Sequence, residues 1–273
     1  MLYNRDYKIL TIEEKELWEK AKKMKPNSNE EGNSLDDIIN YLDALPKAVS
    51  YYTSFFPNNY LSLNDLDDKD YILNAKKEFQ SLLDSNAEEN EILTYIKKTG
   101  HYFIIGSIFH CGPKICFNFG HHEAFLFREF PLGTDYRADY LLVGKNSGGY
   151  EYIFIELESP KVVCTIKNGE FGESIRKGIA QVKDWQRWLM SNFSLLYPEF
   201  EKHLGQYKNN LPKEFHKLDR TRLHFVVVAG RRTHYNEKTY SLKRELFNDS
   251  NIMLLHYDNV IDLIDYLIAA GNY

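Results

Sequence analysis

The sequence predicts an α/β fold in which a mixed sheet is flanked by helices and preceded by a helical region. Three observations support this class. The first hundred residues carry apolar side chains at helical spacing, short β-rich runs follow, and a long amphipathic helix then precedes an uninterrupted apolar strand. Strands that alternate with helices in this order favour a sheet covered by helices, with a parallel pairing for the apolar strand.

The N-terminal region is predicted to be helical. Its candidate helices cover residues 11–18, 35–45, 71–83 and 88–98. Thr11 is a capping residue ahead of the first helix, Pro46 ends the second, and Gly100 stops the last. We expect residues 1–87 to form a regulatory or oligomerisation region and residues 88–273 to form the domain that carries the functional site.

Strands and helices alternate after Gly100. Strands are predicted at residues 102–105, 115–119, 124–127, 139–143, 152–158, 223–230 and 252–255. Helices are predicted at residues 173–192, 239–248 and 260–270. The apolar stripe of the first of these helices consists of Ile175, Ile179, Val182 and Leu189. A glycine-rich turn at residues 144–149 joins two of the strands, so these two are expected to form a hairpin.

Composition limits the partners and the compartment. The net charge of −5 argues against a general binder of polyanions, but residues 213–244 hold nine basic and three acidic side chains, which is compatible with a local nucleic-acid surface. No apolar run approaches the roughly 18 residues that a membrane span needs. Three cysteines without a disulfide pattern and the absence of an apolar leader predict a cytoplasmic protein with no membrane partner.

Glu156 and Glu158 are the most informative residues. They end a strand that stops at Pro160, and because side chains alternate along a strand, both carboxylates point to the same face. Two carboxylates on a half-buried strand repel each other and lose hydration, so a metal ion or a basic side chain must compensate them. Asp139 opens the partner strand of the hairpin and can meet Glu156 at one edge of the sheet. Oxygen ligands of this kind suit Mg²⁺ or Mn²⁺.

An ordered set of motifs surrounds these acids. The segments are Phe130-Pro-Leu-Gly-Thr-Asp-Tyr-Arg-Ala-Asp139, Glu156-Leu-Glu-Ser-Pro160, Gly178-Ile-Ala-Gln181-Val-Lys-Asp-Trp185, Ala229-Gly-Arg231 and His256-Tyr-Asp258. Over about residues 88–268 the set resembles the PD-(D/E)xK nuclease superfamily and, within it, the Shedu-type anti-phage nuclease domain. The resemblance implies a restriction-endonuclease-like fold and a divalent-metal-dependent DNA endonuclease in bacterial defence.

The resemblance also implies roles for single residues. Asp139 and Glu156 would bind the metal ion, with the backbone carbonyl of Leu157 as a further ligand. Glu91, on the helix before the sheet, would bind the ion directly or through water. Gln181 would orient water or the phosphate.

Basic residues outside the acidic motif are candidates for binding nucleic acid. Arg231 and Arg232 follow a buried strand and suit either a backbone phosphate or a solvated turn, and Lys161 follows the proline that ends the acidic strand. We expect DNA as the substrate and a homo-oligomer as the assembly.

One position departs from the family pattern. Glu158 stands where the motif usually has a lysine, which positions the attacking water and neutralises charge. One possibility is that another lysine has taken that role, either Lys161 or Lys177, which lies one turn before Gln181. The other possibility is that Glu158 is an extra ligand for a second metal ion. The second possibility is favoured, which adds Glu158 to the metal ligands and to the catalytic candidates alongside Lys177.

The same acids are compatible with three further roles. Glu156 and Glu158 would also suit a structural ion-pair network with Arg176 or Lys177. They would suit a scaffold that binds nucleic acid or an effector without cutting it. A glycosidase also uses two carboxyl groups, which face a sugar cleft.

Two further residue patterns favour simpler interpretations. Cys111, Cys116, His121 and His122 could be the ligands of a zinc site, but the sequence has no second cysteine pair at the usual spacing, so a zinc site is not favoured. Trp185 and Trp188 are expected to pack in the core rather than to stack on bases. The sequence contains no Walker-type loop, so we expect no use of ATP.

Overall fold

The chain forms two compact units in a computed structural model that describes residues 2–24, 35–111 and 122–273. The smaller unit consists of Met1–Tyr60 with Phe200–Pro212, and the larger of Leu61–Glu199 with Lys213–Tyr273. The first division falls after Tyr60, whereas the sequence predicted it after residue 87. The reason is that the helix beginning at Lys69 packs against the C-terminal helix of the larger unit.

The smaller unit is built from helices and aromatic side chains. Its helices include Ile12–Lys23 (α1), Leu35–Asp43 (α2) and Pro46–Thr53 (α3). Thr11 caps α1, since its side chain accepts from the N–H of Glu14 and the Glu14 carboxylate accepts from the N–H of Thr11. Pro46 is the first residue of α3. Proline is tolerated there because it lacks a backbone N–H, and an N–H in the first turn has no acceptor within the helix. Trp18 stacks on Tyr52 with ring centroids 4.9 Å apart, which joins α1 to α3.

The larger unit contains a mixed sheet and the helices around it. The remaining helices, in chain order, are Lys69–Asp84 (α4), Glu89–Thr99 (α5), Phe103–Gly106 (α6), Glu173–Asn192 (α7), Tyr197–Glu201 (α8), Glu237–Ser250 (α9) and Tyr257–Ala270 (α10). Within the described residues, the strands are Glu123–Leu132 (β1), Tyr136–Asn146 (β2), Gly149–Leu157 (β3), Leu223–Val228 (β4) and Ile252–Leu255 (β5). They lie in the sheet in the order in which they occur in the chain.

The direction of the strands follows from their connections. β1, β2 and β3 are joined by short turns and pair antiparallel, whereas helices connect β3 to β4 and β4 to β5, which pair parallel. The predicted hairpin is β2–β3, and its ladder continues to Asn146 opposite Gly149. Gly149 has φ of 117°, a value open to glycine. The turn is shorter than predicted because Gly144 and Lys145 continue β2.

The core lies against both faces of the central strands. Every residue of β4 is buried, as its uninterrupted apolar sequence predicted. α7 packs against β1, β3 and β4, and the side chains of Ile175, Val182 and Leu189 are fully buried. Trp185 is also fully buried on α7, which confirms its prediction as a packing residue. α10 packs against α4 and α6.

Phe103–Gly106 form the helix α6, although the sequence predicted a strand at residues 102–105. All four residues of α6 are buried, and the helix runs into a 3₁₀ turn at Ser107–His110. A short apolar run cannot separate a buried strand from a buried helix, because neither has a polar face. The strand predicted at residues 115–119 lies outside the described part of the chain. No helix in the described ranges is long and apolar enough to cross a membrane.

Candidate functional site

The β2–β3 hairpin brings Asp139 to Glu156. The last pair of the ladder is Tyr140 with Ile155, so one position further on Asp139 stands opposite Glu156 on the same face. The Oδ2 atom of Asp139 accepts a hydrogen bond from the backbone N–H of Leu157 at 2.8 Å. This contact holds the aspartate against the end of β3, where the pairing of the two strands stops.

Glu156 is a buried carboxylate with an oxygen that lacks a partner. The residue is 5% exposed, and among the described residues its Oε2 atom has no hydrogen-bond partner. Burial raises the pKa of Glu156, and the charge on Asp139 is the next largest cause. Burial also raises the pKa of Asp139. The hydrogen bond from the N–H of Leu157 lowers this pKa, but its effect is smaller than that of burial. A cluster of this kind stays ionised only when a cation compensates it.

Glu158 lies just beyond β3 and is held by three elements. The residue is 1% exposed, and Ser174 at the start of α7 donates a hydrogen bond to its Oε2 atom at 2.8 Å. Its backbone N–H donates to the carbonyl of Val228 on β4, and its carbonyl accepts from the hydroxyl of Tyr257 on α10, both at 2.8 Å. Gly178 lets α7 approach, because a Cβ there would lie 2.9 Å from Cγ of Glu158. The carboxylate therefore has a fixed position.

α7 carries Lys177 and Gln181, two of the predicted catalytic residues. The Nζ atom of Lys177 lies 3.8 Å from Oε1 of Glu158, and its charge lowers the pKa of Glu156 against the larger effect of burial. The lysine side chain is 65% exposed, so water screens this pair. Gln181 is half-buried, and its amide makes no hydrogen bond within the described ranges. Arg176, the other predicted partner of the acids, lies 3.4 Å from Glu170 instead.

Glu89 joins the acid cluster, and the structure does not bring Glu91 to it. Glu91 is exposed, and its carboxylate accepts a hydrogen bond from the N–H of Glu88 in a capping box. Burial raises the pKa of Glu89, and the charge on Glu158 is the next cause. The sequence held a usable signal, because a glutamate at the third helical position commonly reaches back to the cap. Residues two apart on a helix face different ways, so the side chain of Glu89 leaves α5 in another direction than that of Glu91.

The donor chemistry fits a hard divalent cation. The carboxylates offer oxygen atoms, and the carbonyl of Leu157 points toward the β2 side of the strand, as its N–H does. Mg²⁺ and Mn²⁺ prefer such donors. Within the described residues, no three His, Cys, Asp or Glu side chains already stand together in positions to hold a metal ion. Binding would therefore have to draw the side chains of Asp139 and Glu156 inward, with Glu158 and Glu89 beside them.

The three basic residues predicted to bind nucleic acid are all paired with carboxylates. The pairs are Arg231 with Asp84 and Asp258, Arg232 with Asp262, and Lys161 with Glu88. Arg231 is the most firmly held, since two of its nitrogens donate to Asp258 and a third donates to Asp84 at 2.9 Å. Its side chain is 18% exposed. These contacts leave Arg231 little capacity to bind a phosphate in this conformation.

The zinc alternative rests partly on residues that the structure does not describe. Cys116 and His121 lie outside the described ranges. Burial raises the pKa of Cys111 to about 12, which lowers the fraction of thiolate in the metal-free protein.

These features define the larger unit as a mixed α/β domain with a carboxylate cluster where its hairpin ends. Residues 86–261 match the family described as Shedu protein SduA, C-terminal, which is more than half of the chain. The protein therefore belongs to this Shedu family, as its motifs predicted. Membership suggests a role in anti-phage defence. Comparison with curated proteins gives no match.

Proposed function

We propose that the protein is a divalent-metal-dependent DNA endonuclease of the PD-(D/E)xK superfamily that acts in anti-phage defence. One observation carries this proposal: Asp139 lies opposite the buried Glu156 where the hairpin ends, Glu158 is buried two residues further on, and Oε2 of Glu156 lacks a partner among the described residues. A chain that folds with such a cluster loses stability, so we infer that the acids serve a cation from outside the chain.

Each residue would have a role that follows from its place. Asp139 and Glu156 would hold Mg²⁺ or Mn²⁺ with the carbonyl of Leu157, and Glu158 and Glu89 would complete the set or hold a second ion. A bound ion would lower the pKa of water and offset charge on the phosphate.

The helix α7 would supply the polar groups that are not metal ligands. Lys177 would neutralise charge that develops on the phosphate, in place of the lysine that the motif lacks. Gln181, one turn further along the same side of α7, would orient water or the phosphate.

Cleavage of supercoiled plasmid tests the proposal. The purified protein with Mg²⁺ or Mn²⁺ should produce nicked and linear DNA, and chelation should abolish both. Glu156→Gln keeps the shape of the side chain and removes its charge, so we expect the rate to fall at least about 100-fold, a loss common when a charge-stabilising group is removed.

Glu151→Gln is the matched control. This glutamate lies on the same strand but at its other end, where it pairs with His224 at 2.7 Å, so its variant should cut like the wild type. Equal background nicking by the wild type and Glu156→Gln, with both folded by thermal melting, would refute the proposal.

A scaffold that binds nucleic acid or an effector without cutting it is the second candidate. Glu158 favours it, because the usual lysine is missing and Lys177 beside it is largely exposed. This function predicts binding of duplex DNA with ordinary salt dependence and no metal-dependent product. Tight binding with intact plasmid at every Mn²⁺ concentration would decide for the scaffold.

A further inference from the structure

A groove opens beside Asp139, between α5 and the β1–β2 hairpin. Its volume is about 380 Å³. The helix lines it with Asn90, Leu93, Thr94 and Lys97, and the two strands line it with Arg128, Glu129, Arg137, Asp139 and Tyr140. The four helical residues are three or four apart, so they form one face of α5. Because Asp139 belongs both to the groove and to the acid cluster, the groove leads directly to the proposed site.

Two cations of this groove are available to an external anion. Lys97 and Arg137 are exposed, and neither has a carboxylate partner within the described residues. Arg137 precedes Asp139 by two positions on β2, so both side chains leave the same face of the strand. Arg128 differs, because it donates to the hydroxyl of Tyr102 at 2.8 Å.

The charges around Asp139 show why free cations are needed here. The carboxylates of Glu89, Glu158 and Glu129 all act on the charge of Asp139. A site of this sign repels a polyanion, even after one divalent ion has entered it. Cations beside the acids, rather than among them, would offset that repulsion for the flanking phosphates.

We propose that this groove binds the phosphate backbone of DNA beside the bond to be cut, with Lys97 and Arg137 contacting phosphates. The proposal rests on the proposed function only in taking DNA as the substrate. It places the phosphate contacts on α5 and β2, whereas the sequence predicted them at Arg231, Arg232 and Lys161. Those three cations have carboxylate partners, and Lys97 and Arg137 have none in the described ranges.

Salt-dependent binding of a fluorescently labelled DNA duplex, measured by anisotropy without Mg²⁺ or Mn²⁺, tests the groove. Each phosphate contact that is removed should reduce the slope of log K against log[salt] by about 0.9. Lys97→Gln and Arg137→Gln should each reduce it by about that amount, and the double variant by about twice as much. Arg137→Lys, which keeps the charge, should retain the wild-type slope.

Two other double variants complete the test. Lys15→Gln with Lys23→Gln removes the same net charge from exposed positions on α1 and should leave the slope unchanged. Lys161→Gln with Arg232→Gln probes the surface that the sequence predicted. An unchanged slope in the groove double variant, an equal loss in the α1 double variant, or a wild-type protein that fails to bind DNA would each overturn the proposal.

The outcomes separate the groove from the endonuclease proposal. Binding that depends on Lys97 and Arg137 without a metal-dependent product would keep the groove and refute the nuclease. Cleavage by the wild type, together with wild-type binding by the groove double variant, would refute the groove and keep the nuclease. Unchanged melting temperatures show that these exposed substitutions leave the fold intact.

Discussion

The ends of β3 and β4 are neighbours in the sheet, but they differ in how their charges are compensated. At the end of β3, Glu156 and Glu158 are buried, and the exposed Lys177 is a nearby cation. Beyond β4, Arg231 lies between Asp84 and Asp258 and is bound to both. Burial would raise the pKa of Asp258, but hydrogen bonds from Arg231 and the N–H of Arg232 hold it below its usual value.

The comparison indicates which charges stabilise the fold and which await a ligand. Arg231 and its two aspartates are neutralised within the chain, which is typical of a structural ion pair. The acids at the end of β3 are not, and a desolvated cluster with one charge sign is a candidate functional site. The largest expected effect, the loss of cleavage in Glu156→Gln, would confirm the functional half of this comparison.

Arg231→Met tests the structural half. The substitution keeps much of the volume but leaves Asp84 and Asp258 without their cation, so the free energy of unfolding should fall by about 2–3 kcal/mol. Urea denaturation measures the change. Adding Asp258→Asn should recover part of the loss, and cleavage should stay within a few-fold of the wild type. A reduced salt slope for DNA binding without a loss of stability would instead support the contact predicted from sequence.

Glu156→Gln should raise stability while it removes activity. In chelator the variant no longer buries an uncompensated carboxylate, and we expect a gain of about 1–2 kcal/mol, comparable to relieving an unsatisfied buried polar group. Saturating Mg²⁺ or Mn²⁺ should stabilise the wild type and reduce this difference. Thermal melts with and without the ion measure both effects. A variant that is less stable than the wild type in chelator would contradict the view that the uncompensated acids reduce the stability of the protein.

His256 is a buried titratable group that remains neutral, unlike the charged side chains at the ends of β3 and β4. Burial is the main cause that lowers its pKa to about 4, and its Nδ1 atom accepts from the N–H of Asn259 at the start of α10. The charged groups near it are Lys243 and Arg232, which lower the pKa, and Asp258 and Asp262, which raise it. The folded state therefore excludes a proton that the unfolded chain binds below a pKa of about 6.5.

Because the pKa of His256 is lower in the folded protein than in the unfolded chain, acid destabilises the folded state. Stability should fall as the pH drops from about 6.5 toward 4, by on the order of 1–2 kcal/mol from His256. His256→Asn keeps a side chain that can cap α10 but cannot titrate, so it should flatten this part of the profile. Equal slopes for the two proteins in urea denaturation at several pH values would show that His256 does not contribute.

Lys161→Gln should have the smallest effect. Its pair with Glu88 is exposed, with Nζ and Oε1 2.9 Å apart, and an exposed pair contributes little to stability because water and salt screen it. We expect the melting temperature to change little. A loss as large as that of Arg231→Met would mean that exposure does not distinguish the two pairs.

Local sequence patterns predicted most of the fold. The capping residue Thr11, the hairpin, the apolar stripe of α7 and the buried strand β4 each have a signal that lies within a few residues along the chain. The prediction failed where a pattern was ambiguous over a short span. Residues 102–105 are equally apolar on all sides, and packing selected a helix there.

Some features of the candidate site could also be predicted from local sequence patterns, and others could not. Alternation along β3 and the hairpin were enough to place Asp139 beside Glu156, because both depend on neighbouring strands. The capping role of Glu91 had a local signal, whereas the carboxylate partners of Arg231 and the free cations of the groove depend on residues that lie far apart in the sequence. A charge is compensated or left free by whatever packing brings within a few ångströms of it, and no local pattern contains that information.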